Sequence, residues 1–404
     1  MCKRAEGKHM KILFTTQALS IGGIEVLALR LSEAFGKAGH DVILYDFNPD
    51  RQNPGFVARY DTRKFRLAAF TPSPAADWLV WKTHATLYKA KVYRKFRPWL
   101  IERHFARLLK LERPDVICSL SFHQDYIACV HAQKLGIPVV VSMHGTYEYA
   151  SSEWPLRAAY IYSHVRAIIY VADKNISWYR AQNYWNPKLP VVKIYTGNDL
   201  DKPVVRSIAR ADIGLPDDAF VFVMVARGIQ EKGWLEAIKA FRLVRARYQQ
   251  AALLLVGEGE YLNKLRLDYA TEPGVIFYGS HPDSIELTVL ANAGLLPSYF
   301  PIESLPNVII DYLRCHLPVL ASNIGEIPGM LTLPDGSIAG EVLPLLTEGK
   351  GVEVEALSKA MIHLIAEPLH YQQQAAWAAQ AVRRFDMQDC VARYTEVFKQ
   401  AVSV

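Results

Sequence analysis

The sequence predicts an α/β protein built from two doubly wound, Rossmann-like domains in tandem. Three observations predict it. Short apolar runs such as 11–16 (KILFTT), 42–47 (VILYDF), 220–228 (FVFVMVARG) and 275–280 (VIFYGS) recur in both halves, as strands buried on both faces of a parallel sheet require. Amphipathic stretches separate them, among them WLEAIKAFRLVRARY with Trp234, Ile238, Phe241 and Val244 on one face. The 404 residues exceed one ordinary domain and suit two of roughly 150–200 residues each. Apolar periodicity lapses over 201–216, which places the linker there and gives domains 1–205 and 206–380, followed by a terminal helix over 381–404.

Composition sets the class. Half the residues are hydrophobic (51%) and 21% are charged, an ordinary globular balance that argues against disorder. Five scattered cysteines without a CxxC pair fit reduced thiols rather than a disulfide frame or a zinc site. The opening MCKRAEGKHMKILF has charge but no apolar h-region, so no signal peptide is expected, and Met10 is an alternative start with 1–9 a tag or upstream extension. No apolar run approaches the ~18 residues of a spanning helix, so the expected location is the cytoplasm or a membrane surface.

The first strand, 11–16, leads through Gly22-Gly23 into a helical pattern (Val26, Leu27, Leu29, Leu31, Ala34, Phe35) and on to the strand 42–47. Glycines at such a strand-to-helix turn let backbone approach a phosphate; a plain tight turn is the alternative. The turn is not GxGxxG with a following acid, which weakens a nicotinamide reading. A short strand is expected near 65–70. Residues 78–110 then carry nine basic side chains against the single acid Glu102, interleaved with Trp78, Trp81, Tyr88, Tyr93, Phe96, Trp99 and Phe105. A helix pair of this kind suits an anionic membrane surface, with Trp81, Lys89, Lys91, Arg94, Lys95 and Trp99 as the contact residues. A solvated helix with an ordinary core face is the alternative, and no recognised module argues for nucleic acid.

Next, 115–123 and 137–145 read as strands, with His123 and His144 directly after their apolar runs, at the end of a parallel sheet that faces ligand. The aromatic stretch 147–154 reads as a loop near that end, with Tyr147 and His123 as contacts for acceptor or sugar. Strands over 167–173 and 191–197 complete the first set. In the second, Arg227 and Lys232 stand five residues apart across a strand-to-helix turn, within reach of one diphosphate; two exposed loop cations are the alternative. From Leu296 to Met330 runs LPSYFPIESLPNVIIDYLRCHLPVLASNIGEIPGM: a strand end, a loop, a helix opening after Pro306, and another strand. Its apolar helix face is Val308, Ile309, Tyr312 and Leu313, and the amides of Leu305, Asn307 and Val308 form an anion site by geometry.

This last stretch resembles the signature of retaining GT-B glycosyltransferases, family 4 in particular: proline-serine, an E-G-x-P loop, and a second acid eight residues after the first. Glu303, Leu305, Pro306 and Asn307 fall on the pattern; Ser304 stands for the usual glycine and Asp311 for the usual second glutamate. The family's R-x4-K-G is matched by Arg227 to Lys232-Gly233, its histidine-glycine by His144-Gly145, its opening by Gly22-Gly23-Ile24-Glu25 and its V-x-N-G-x-D by the run through Thr196, Gly197, Asn198 and Asp199. The resemblance spans nearly the whole chain and is weakest over 46–114. It implies the GT-B fold, two domains facing across a cleft with the last helices crossing back to the first. The first domain would bind acceptor and the second a nucleotide sugar.

The resemblance further implies transfer of a hexose from a UDP- or GDP-sugar, with retention, to a glycan or lipid-linked acceptor in envelope polysaccharide or lipopolysaccharide synthesis. Arg227 and Lys232 would meet the leaving diphosphate, Asp311 the ribose, and Glu303 and His144 the sugar and phosphate. Built-in cations make a metal unnecessary, no DxD-type cluster suggests one, and no cofactor is expected. A double-displacement route has no second carboxylate to name. A non-catalytic nucleotide-sugar-binding protein, or a GT-B isomerase or phosphorylase, stays open.

Overall fold

Lys11–Thr16 forms a strand because five successive residues after Lys11 are fully buried, apolar or small, with no glycine or proline to interrupt the ladder. The same logic sets every strand of the protein. The structure, a computed structural model, describes residues 9–20, 22–71, 93–145, 147–204, 206–347 and 350–403, without the side chains of 93–96, 148, 149 and 151. Trp81, Lys89 and Lys91 lie outside the described residues, as do the side chains of Arg94 and Lys95.

Two compact units result. The first comprises the residues up to Gly197 together with those from Met387 on; the second is Asn198–Asp386. In the first, β1 (Lys11–Thr16), β2 (Asp41–Asp46), β3 (Arg66–Ala69), β4 (Val116–Ser119), β5 (Val139–Met143), β6 (Ala167–Tyr170) and β7 (Val191–Lys193) form a parallel sheet in the order β3-β2-β1-β4-β5-β6-β7. In the second, β8 (Val221–Val225), β9 (Ala252–Val256), β10 (Val275–Gly279), β11 (Ala293–Leu296), β12 (Val319–Ser322) and β13 (Gly340–Leu343) pair in the order β10-β9-β8-β11-β12-β13. Both orders reverse direction beside their first strand, so each unit is Rossmann-like and doubly wound. Each has a topological switch point, β1/β4 and β8/β11, where such sheets take ligands beyond their carboxyl ends.

The terminal helix Met387–Ser403 belongs to the first unit because its apolar stripe does. Tyr394, Phe398 and Ala401 are buried with Phe14, Phe35 and Leu31 in one cluster, and the Phe14, Phe35 and Phe398 rings lie 5.6–6.3 Å apart. Gly197 explains how closely it docks. A Cβ there would collide with the Met387 backbone and the Cys390 side chain.

Several expectations change. Within 206–216, on the expected linker, Arg210 donates to the carbonyls of Leu290, Asp217 and Ala219 and to Asn292 Oδ1, tying it to the second unit. A half-buried cation holding four acceptors replaces the apolar periodicity that marked structure elsewhere. Residues 147–154 are not a loop, since Glu148–Glu153 is helical and a second helix, Pro155–His164, follows at once. His123 does not end a strand; it is the second residue of the helix Phe122–Gln133, because β4 stops at Ser119. Phe105 is core rather than a membrane contact, fully buried 5.0 Å from both Tyr45 and Phe47 in the helix Tyr93–Glu112. Trp99 on the same helix is 48% exposed beneath the Arg103 guanidinium. Among the described residues no helix is long and apolar enough to cross a membrane.

Candidate active site

The second unit's switch point collects the signature residues. β8 and β11 splay at their ends, and the Tyr312 hydroxyl fills the gap, accepting from the Val225 amide at 2.9 Å and donating to the Leu295 carbonyl at 3.1 Å. Tyr312 reaches there from the helix Asn307–Arg314, and its ring lies where a side chain on Gly294 would sit. On that helix the buried face is Ile309, Ile310, Tyr312 and Leu313; Val308 is only half-buried, which corrects the expected face by one residue.

Two loops cross above this point. The one after β8 is held by the buried Trp234, whose indole donates to the Arg227 carbonyl at 2.9 Å. Gly233 closes it in a left-handed conformation (φ 84°), tight against the Pro297 carbonyl. The loop after β11 is pinned to it, since the Tyr299 amide donates to the Glu231 carbonyl at 2.8 Å. The result brings Arg227, Lys232 and Glu303 together. Lys232 Nζ donates to Glu303 Oε2 at 2.5 Å, the pair is buried, and Ser298 Oγ donates to the same oxygen at 2.8 Å. Arg227 Cζ and Lys232 Nζ lie 5.0 and 4.9 Å from the centre of the Phe300 ring, so one aromatic ring gathers both cations. Arg227 is exposed where Lys232 is buried.

Leu305, Pro306 and Asn307 follow directly, with Pro306 capping the helix in an extended conformation and Asp311 half-buried one turn on. Gly325, at φ 57°, lets the next loop close against the carbonyls of Glu303 and Ser304, and the Glu326 amide donates to Ser304 at 2.8 Å. Glycines 228, 257 and 259 meet backbone of the neighbouring turn, so Gly257 and Gly259 are packing positions. Phe300, Ser298 and Tyr312 as cation platform, carboxylate partner and strand bridge were not legible from spacing. The sequence signals were proline-serine itself, the aromatic two residues past it and the place of Tyr312 on the helix's apolar face.

In the first unit, Gly22, Gly23, His123, His144 and Tyr147 stand at the carboxyl ends of the sheet. Glu25 folds its carboxylate back over Gly22, where a Cβ would collide with it, so the glycine turn is covered by its own acid. Burial pushes that carboxyl above its usual range. His144 follows β5 and shares a 2.7 Å hydrogen bond through Nε2 with Ser142 Oγ, which in turn meets Tyr394 Oη at 2.7 Å. Burial lowers its pKa to about 3, leaving a neutral imidazole. Tyr147 packs on Phe122 at 5.8 Å and turns its hydroxyl toward the buried Asp125, whose carboxyl desolvation raises to about 7.

The description "Glycosyltransferase Family 4" matches residues 21–202 and "Glycosyl transferases group 1" matches 205–382, one family model for each half. The chain belongs to the GT-B glycosyltransferases of the family 4 type. It is 25% identical over 409 residues to the glycogen synthase of Mycobacterium tuberculosis, covering 94% of this chain and 92% of that one. An uncharacterized glycosyltransferase of Methanocaldococcus jannaschii is 23% identical, with 62% of each chain covered. A GDP-mannose-dependent monoacylated alpha-(1-6)-phosphatidylinositol monomannoside mannosyltransferase of Corynebacterium glutamicum is 28% identical over 41% of this chain and 43% of its own. The match thus spans less than two thirds of these last two relatives. Anabaena HepE, solved with UDP and glucose, superposes with TM-score 0.74 at 19% identity over 97% of this chain and 100% of that one. A glycosyltransferase of Rickettsia africae gives 0.72 at 15%, with 98% and 99% covered.

Proposed function

We propose that this glycosyltransferase moves a hexose, with retention, from a UDP- or GDP-sugar to a glycan or lipid-linked acceptor of envelope polysaccharide or lipopolysaccharide synthesis. The observation that carries the reading is the convergence of Arg227, Lys232 and Glu303 around Phe300 at a Rossmann switch point. Breaking the glycosidic bond develops charge on a diphosphate. Two cations and the first-turn amides of the helix after Pro306 act on that charge. Lys232 is held by Glu303 until a phosphate competes for it; Glu303, also tied to Ser298, is then the carboxylate that meets sugar hydroxyls. Asp311, one turn along the helix, serves the ribose. The neutral His144 contributes as a hydrogen-bonding group and not as a cation. The departing phosphate takes the acceptor's proton, and this chemistry needs no metal or further cofactor. The GDP-mannose-dependent relative, named for a phosphatidylinositol mannoside, supports the donor class and a lipid-linked acceptor, and the UDP bound by HepE supports the donor class.

A thermal-shift panel of UDP-, GDP-, ADP- and TDP-sugars tests it, because a ligand of the native state raises Tm by mass action. One nucleotide class is expected to raise Tm, and Arg227→Ala, an exposed position, to remove the shift while leaving the unliganded Tm within a degree or two. If no nucleotide shifts the wild type, the donor reading fails.

A further inference from the structure

The first unit carries an aromatic surface that the donor site does not use. Trp154, at the junction of the helices Glu148–Glu153 and Pro155–His164, is 41% exposed, and Leu156 beside it is 86% exposed. Here the indole is held by contacts on its face, edge and nitrogen. The Arg157 guanidinium stacks over the Trp154 ring at 4.5 Å and over Tyr126 at 4.9 Å. The Trp154 indole donates to Glu153 Oε2 at 3.2 Å. The exposed His123 meets its edge at 6.3 Å and links it through Phe122 to Tyr147. His123 belongs to the helix that follows β4, so the platform begins at this sheet's switch point.

Each group has a matching chemistry. A pyranose has an apolar C–H face that covers an indole and releases the water above it. Its ring-edge hydroxyls need planar donors and acceptors at the rim, which His123 and Glu153 are. Burial, and then the Arg157 cation, hold the His123 imidazole below its ordinary pKa, so it is neutral and can donate or accept. Arg157, clamped by its faces, keeps Trp154 from rotating, and a pre-ordered platform loses less entropy on binding.

We propose that Trp154, with His123 and Glu153 at its rim and Arg157 locking it, is a pyranose-stacking subsite that recognises the acceptor by a sugar ring rather than by a lipid. The assignment of that sugar as acceptor rests on the proposed transfer reaction; the binding of a sugar does not. The test is saturation-transfer NMR on the full chain with methyl glycosides of glucose, galactose, mannose, N-acetylglucosamine and glucuronic acid. At least one glycoside is expected to receive saturation on the protons of one ring face. Trp154→Ala should weaken that signal at least tenfold, with Trp154→Phe retaining much of it. Nucleotide thermal shifts report folding and the donor site separately, and Trp154→Ala should leave them unchanged. Should no glycoside be saturated, or should Trp154→Ala bind as the wild type does, the subsite is overturned. Sugar binding without any nucleotide shift would keep the subsite and remove the donor reading.

Discussion

Lys232 and Glu303 illustrate how a paired charge constrains mutagenesis. The pair is buried, so removing one member leaves the other desolvated and uncompensated, a loss of roughly 3–5 kcal/mol. Lys232→Met should therefore lower the urea midpoint strongly, whereas Lys232→Met with Glu303→Gln should recover most of the loss without restoring nucleotide binding. If the double variant is as unstable as the single one, the pair is not the source of the effect. Asp125 makes the opposite kind of prediction. Its folded pKa, raised by burial to about 7, exceeds an unfolded value of about 3.9. Between those pH values the unfolded chain holds fewer protons at this group, so its contribution to stability falls as pH rises, on the order of 1 kcal/mol per pH unit. Relative to wild type, Asp125→Asn should thus gain stability from pH 4 to pH 7 and hold that gain above; equal curves at all pH values would contradict the shift.

Among elements, the helix Asn307–Arg314 shows that its job is placement. Eight residues would not stand alone in water. They stand here because Ile309, Ile310 and Leu313 are buried and the Tyr312 hydroxyl satisfies backbone on two diverging strands. Tyr312→Phe leaves the Val225 amide and the Leu295 carbonyl without that partner inside the protein, a cost of about 1–3 kcal/mol. Denaturant melts should show it with helix content unchanged by circular dichroism. The second consequence is looser spacing of β8 and β11, so nucleotide binding should weaken as well.

For the whole molecule, the last helix decides whether the first unit can fold. Tyr394, Phe398 and Ala401 fill a core shared with residues from Met10 to Phe65 and with the later strands as far as Ile194, and Tyr394 also meets Ser142 beneath His144. A chain ended at Asp386 should lose the cooperative transition of the first unit and become protease-sensitive there, while Asn198–Asp386 remains resistant. Calorimetry with limited proteolysis would show this; two intact transitions would mean the helix is dispensable.

The sequence by itself determined the alternation of buried strands and amphipathic helices, hence two Rossmann-like sheets, because a run such as Val221–Val225 can be satisfied only by burial on both faces. It also placed Arg227, Lys232, Glu303 and Asn307 near strand ends, since their spacing is local. Only the tertiary structure decided what those residues touch. The Lys232–Glu303 pair, both cations over Phe300, the burial of Phe105 and the Arg157–Tyr126 stack join residues from separate elements. The helix at Glu148–Glu153 was hidden too, because its polar and aromatic residues lack an apolar period and hold their shape through neighbours. Local pattern fixes which backbone forms; contact between distant segments fixes charge, desolvation and stacking, and those are what make a site.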